Sequence, residues 1–292
     1  MQFERWSARR ALLLALVLAS LVSCGGRPTP APERAPSTMR SAEGENAQLV
    51  VFAASSLQGP FQQLGESFRS RHPSVTVVVN YAGSAQLVAQ LEQGAPADVV
   101  AFADLDNMRR AQAAGLIRGE PVVFARNRLA LVVPASNPAG IARLADLARP
   151  GVKVIVAHEN VPAGKYARTL LTHASQRPDY GPDFAQRVLA NVVSQEVNVK
   201  QVLAKVALGE ADVGIVYVTD VEAAGPSVRA VEIPDELNVI ACYPIAVAAA
   251  SQQPALAAEF IAFVRSETGQ QLLAHYGFEP VSTDASDAGS CG

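Results

Sequence analysis

The stretch VVFAASSLQGPF, residues 50–61, decides how the rest of the chain is read. An apolar run ends in two adjacent serines, Ser55 and Ser56, and a helical stripe follows at once. Leu57, Phe61, Leu64 and Phe68 fall at i, i+4, i+7 and i+11. A strand that is apolar throughout is buried on both faces, as in a parallel sheet covered by helices. Pro60 falls in the first helical turn, where its missing N–H costs least. The serine pair admits two readings: an ordinary helix cap, or a seat for an anion at a helix N-terminus.

The same unit recurs outward from this point. SVTVVVNYA (74–82) reads as a strand, GSAQLVAQLEQG (83–94) as a turn and helix, and ADVVAFA (97–103) as a third buried strand followed by a helix. RLALVVP (128–134) leads into a second series with strands at 152–158 and 212–218 and helices near 164–174 and 198–208. NVIACYPIAVAAA (238–250) is a second long strand, and PALAAEFIAFVRS (254–266) an apolar helix. Two α/β series separated by two long strands imply two lobes: residues 47–128 with 238–280, and residues 129–237. The expected architecture is a two-lobed α/β fold with two parallel-type sheets joined by two crossover strands. Ligands of such sheets bind beyond the carboxyl ends of the strands and between lobes.

The 292 residues are 49% hydrophobic and 17% charged, the balance of a globular protein, and the formal charge of −3 excludes a nucleic-acid footprint. Residues 1–23 read as an export leader: Arg5, Arg9 and Arg10 precede the apolar run ALLLALVLASLV (11–22), which is too short to span a bilayer. LVSC (21–24) resembles a bacterial lipobox, with Cys24 the lipidated residue. Its removal takes three arginines and one glutamate and moves the charge from −3 to −5. Residues 24–46 are rich in Pro, Gly and Ser and read as a tether from a lipid anchor to the body. The expected location is therefore extracytoplasmic and membrane-anchored. Residues 281–292 read as a flexible tail. Cys242 and Cys291 remain, either paired as a disulfide or separate, and the residues leave both open.

Catalytic chemistry finds little support. His72, His158, His173 and His275 share no local motif with a nucleophile, and no GxSxG, HExxH, P-loop or GxGxxG occurs. Asp98, Asp104 and Asp106 surround one strand end; they read as helix-start chemistry in preference to a metal cluster. Small hydroxyls at strand-to-helix junctions do recur, in AASSL (53–57) and YAGSAQL (81–87). A helix N-terminus carries unpaired N–H groups and the positive end of a dipole, so an anion can bind there without a basic side chain.

These residues carry a resemblance. VFAASSL (51–57), the GS of YAGSAQL, EQGAPADVVAFAD (92–104), HENVPAGKYA (158–167), GEADVGIVYVTD (209–220), YPIAV (243–247) and HYGF (275–278), in this order, resemble the periplasmic molybdate-binding proteins of ABC transporters over residues 48–280. The resemblance implies a type II binding-protein fold that closes on a tetrahedral oxyanion, molybdate and also tungstate, and delivers it to a membrane permease. It further implies a monomer with no catalytic activity and no cofactor, holding molybdenum only as the oxyanion. Carried over, the ligand donors are the Ser56 hydroxyl and amide, Ser84, the backbone of Ala163, the backbone of Val199 and the Tyr217 hydroxyl. Ser55 and Gly83 depart from the family's usual Ala and Ser. A carrier of sulfate or phosphate, an exported enzyme on the same scaffold, and a cation binder using the three aspartates are the competing readings.

Overall fold

A computed structural model describes residues 47–281 and Cys291. The leader, Cys24, the tether and most of the tail lie outside the described residues, among which no helix is long and apolar enough to cross a membrane.

The chain opens with β1 (Ala47–Ala54), α1 (Gln58–Arg71), β2 (Val75–Ala82), α2 (Ser84–Glu92), β3 (Val99–Ala101), α3 (Leu105–Ala113) and β4 (Ile117–Asn127). It continues with β5 (Leu129–Pro134), β6 (Val154–Ala157), α4 (Pro162–Ser175), α5 (Phe184–Ala190), β7 (Val192–Glu196), α6 (Val199–Ala207), β8 (Val213–Tyr217), α7 (Val218–Ala224) and β9 (Val228–Val231). It returns through β10 (Ala241–Ala248), α8 (Pro254–Arg265) and α9 (Glu267–His275). Two five-stranded sheets result, ordered β2-β1-β3-β10-β4 and β7-β6-β8-β5-β9.

Both sheets are mixed where parallel ones were expected. One strand in each runs against its neighbours: β10 in the first sheet and β5 in the second. The connectivity explains this. β1, β2, β6 and β8 all end at the residues that meet between the sheets. The chain leaves β4 at Asn127 and enters β5 at Leu129, so β5 must start at that meeting edge and run away from it. β10, returning from the second sheet, does the same in the first.

Apolar burial holds the helices. Leu57, Phe61, Leu64 and Phe68 are all buried, with Phe61 edge-on to Phe124 at 5.7 Å and Phe68 edge-on to Phe260 at 5.2 Å. α1 contains Gly59, Pro60 and Gly65, poor helix formers, so this stripe rather than propensity keeps it helical, each large side chain contributing about 1.5–3 kcal/mol. On the other face of the sheet Leu87, Val88 and Leu91 of α2 pack with Met108 and Ala111 of α3. β4 is an element that the apolar pattern misses. Apart from one bridge between Arg126 and Glu279, it pairs with β10, an edge position, so Arg118, Gly119, Glu120 and Pro121 are tolerated there and break the run. Pro244, inside the central β10, coincides with a register shift at Tyr243/Pro244 that accommodates its missing donor. Cys242 and Cys291 form a disulfide, with Cα atoms 5.6 Å apart.

Candidate functional site

The first sheet supplies two junctions. After β1 the chain passes through a single 3-10 turn, Ser55–Leu57, before α1 begins. Ser55 and Ser56 thus lie within helical backbone, not in the extended N-cap conformation from which a side chain reaches back to the first N–H groups. The capping expectation therefore fails: neither Ala54 nor Leu57, the residues at the cap positions, makes a side-chain cap bond. Ser56 Oγ instead lies 3.0 Å from Tyr243 Oη. At the second junction the extended cap residue is Gly83, which has no side chain, and Ser84 is the first helical residue. Ser84 Oγ accepts from the Ala103 N–H at 3.1 Å.

The second sheet supplies three more. α4 starts with Pro162 after Val161, and Ala163 follows in its first turn. Gly164 makes this possible, because a β-carbon there would lie 2.2 Å from the His158 carbonyl oxygen and 2.3 Å from that of Ala157. α6 starts at Val199, its cap Asn198 accepting from the Gln201 N–H at 3.1 Å. Tyr217 closes β8, paired in register with Leu129 at the start of β5.

All five residues singled out by the sequence, Ser56, Ser84, Ala163, Val199 and Tyr217, line one cavity, together with Ser55, Gly83 and Ala103. Each of the five is buried. The cavity is small, about 10 Å³, about the room of one water molecule, so it does not admit a sugar or a peptide. Among the described residues, no lysine, arginine, histidine, aspartate or glutamate lines it. What it offers is the first-turn N–H groups of α2, α4 and α6, which helix geometry leaves unpaired, and hydroxyls. Such a surface favours an anion at three positive helix ends without the cost of burying a cation.

Charges stand one layer back. Asp220, fully buried, accepts from the Tyr217 N–H and pairs with Lys200 at 3.0 Å; burial raises its pKa while Lys200 opposes the shift. Asp104 caps α3 through the Asn107 N–H at 3.0 Å, and burial pushes its pKa up as well. Asp106, on α3, pairs with Lys165 of α4 and with Arg109. The aspartate cluster is therefore structural: Asp98 accepts from Val50 N and from Ser251 Oγ, and among the described residues no three metal-ligating side chains come together. His158 Nδ1 accepts from the nearby Asn160 N–H, a loop contact.

Tyr217, which was expected, adjoins Tyr243, which was not. Tyr217 Oη is buried and, among the described residues, meets no partner at hydrogen-bonding geometry, although it borders the Tyr243 hydroxyl. Burial raises the pKa of both phenols far above the ordinary range, so both stay neutral donors. Tyr243 was not among the expected site residues, because in YPIAV it reads as one more apolar strand position; only the fold brings its hydroxyl to Ser56.

A family profile described as "Bacterial extracellular solute-binding protein" matches residues 49–279. The molybdate-binding protein ModA of Mycobacterium bovis is 39% identical over 275 residues, which cover 94% of this chain and 98% of that protein. Among solved structures, the sulfate-binding protein SubI of Mycobacterium tuberculosis superposes with a TM-score of 0.74 at 24% identity, covering 81% of this chain and 88% of the other. The periplasmic molybdate-binding protein of Azotobacter vinelandii gives 0.70 at 20% identity, covering 80% and 100%. At those identities the two structures speak for the two-lobed fold alone.

Proposed function

The chain belongs to the bacterial extracellular solute-binding proteins, a family of transport proteins and not of enzymes, and from that premise we propose that it captures molybdate and delivers it to an ABC permease. The observation that carries this is the convergence of Ser56, Ser84, Ala163, Val199 and Tyr217 on one cavity that no ionic side chain lines among the described residues. The Ser56 and Ser84 hydroxyls, the backbone N–H groups of Ser56, Ala163 and Val199, and the Tyr217 hydroxyl donate to the four oxygens of the dianion. A donor-only lining turns away an oxyanion that still carries a proton, because its hydrogen would meet another donor. Tungstate, with the same charge and nearly the same size, binds as well.

Residues 47–128 with 238–280 form one lobe and 129–237 the other, closing as a clamp with hinges near 128 and 238. The protein works as a monomer outside the cytoplasm, tethered through residues 24–46 to a lipid on Cys24. Calorimetric titration tests the reading: molybdate binds the unsubstituted chain, and Ser56→Ala with Ser84→Ala abolishes binding while the melting curve stays cooperative. Unchanged affinity in the double variant overturns the site.

Sulfate is a second reading, since it too is a fully deprotonated tetrahedral dianion at neutral pH and meets the same donor-only lining. Titrating molybdate in a large excess of sulfate decides between them: molybdate binding persists if the first reading holds, and disappears if the second does.

A further inference from the structure

We propose that Tyr243 is a positioning residue that fixes the direction of the Ser56 hydroxyl, and through it the preference of the site for fully deprotonated oxyanions; this rests on the molybdate reading above. Tyr243 is fully buried and does not line the cavity. It stands directly behind Ser56, with Oη 3.0 Å from Oγ, and its ring lies 5.9 Å from that of Tyr217 in an edge-on packing. Phe278, at 5.3 Å, and Phe124, at 6.3 Å, pack against it edge-on from other sides and hold the ring in place.

The Ser56–Tyr243 pair leaves open which oxygen donates. Burial resolves it. Tyr243 is fully buried, and among the described residues Ser56 Oγ is the acceptor at hydrogen-bond distance from its hydroxyl, while Tyr217 Oη makes no hydrogen bond. A buried O–H left without an acceptor is costly, so Tyr243 directs its hydrogen to Ser56 Oγ. Ser56 borders the cavity and places its own hydrogen there. The chain runs Tyr243 to Ser56 to ligand, each member donating forward. Without Tyr243, the Ser56 hydroxyl can rotate and accept, and a protonated oxyanion finds a partner for its hydrogen.

The test is a double-mutant cycle of Tyr243→Phe and Ser56→Ala, with molybdate titrated directly and inorganic phosphate, which carries a proton at neutral pH, as competitor. Tyr243→Phe is expected to weaken molybdate about tenfold, the loss of one hydrogen bond to a charged group. Phosphate should compete at least about tenfold better relative to molybdate than against the unsubstituted chain. In the Ser56→Ala background Tyr243→Phe should change molybdate affinity no further, since its effect passes through Ser56. Additive losses, or an unchanged phosphate-to-molybdate ratio, overturn the proposal while leaving the molybdate reading in place. Failure of the unsubstituted chain to bind molybdate overturns both.

Discussion

Gly83, after β2 in the first sheet, approaches the backbone of Val197, after β7 in the second, so closely that a β-carbon on Gly83 would lie 2.6 Å from the Val197 carbonyl oxygen. The obstacle is backbone, which cannot swing aside as a side-chain tip can. Gly83 is thus a point where the two halves of the molecule touch beside the cavity. Gly83→Ala should leave the fold of each half undisturbed and penalise their approach by about 1–3 kcal/mol. The expected result is a molybdate affinity reduced about tenfold to a hundredfold, with the melting temperature of the ligand-free protein unchanged. An affinity equal to that of the parent would show that the contact does not matter for binding.

Tyr217→Phe should move stability and binding in opposite directions. Its hydroxyl is buried without a well-formed hydrogen bond, and such a group costs about 1–3 kcal/mol. Removing it should raise the melting temperature of the ligand-free protein and weaken molybdate by about tenfold or more. A variant that loses stability and keeps affinity would assign Tyr217 to packing alone.

Lys165 and Asp106 pair between α4 and α3, across the junction of the two halves, yet both side chains are about half exposed. A pair in that setting contributes about 0–1 kcal/mol after solvent screening. Lys165→Ala should therefore change molybdate affinity less than about fivefold, and the difference should vanish at high salt. A larger loss that persists in salt would mean that Lys165 acts on the ligand itself.

The Cys242–Cys291 disulfide closes a loop of 49 residues, and Cys242 adjoins Tyr243 on β10. Cross-linking a loop of that length stabilises by up to about 4 kcal/mol, mainly by restricting the unfolded chain. Reduction, or Cys291→Ser, should lower the denaturant midpoint measurably. An unchanged midpoint would show that the bridge only tethers the terminus.

The strands most legible in the sequence are those buried on both faces. β1 from Leu49 onward, β6 and β8 are short apolar runs, and the stripe from Leu57 to Phe68 has no other good explanation than a helix packed on a sheet. β4 and β9, each at a sheet edge, were not legible, because edge strands carry polar residues as loops do. Ser56 and Ser84 stood out in the sequence as hydroxyls at strand-to-helix junctions, whereas Ala163, Val199 and Tyr217 were reached only through resemblance. By side chain Ala163 and Val199 are ordinary core residues, and what they offer is a backbone N–H that no pattern of side chains advertises.

The serines of VVFAASSLQGPF show where sequence stops. By itself the sequence determined that a buried strand ends there and that small hydroxyls begin a helix, because apolar periodicity is a local consequence of burial. Only the tertiary structure decided what the hydroxyls do. The 3-10 turn removes Ser55 and Ser56 from capping, and β10, nearly two hundred residues away along the chain, sets Tyr243 behind Ser56. A hydroxyl can donate or accept with almost equal ease, so its role belongs to whichever partner the fold brings within 3 Å, and that partner is absent from any local window of sequence.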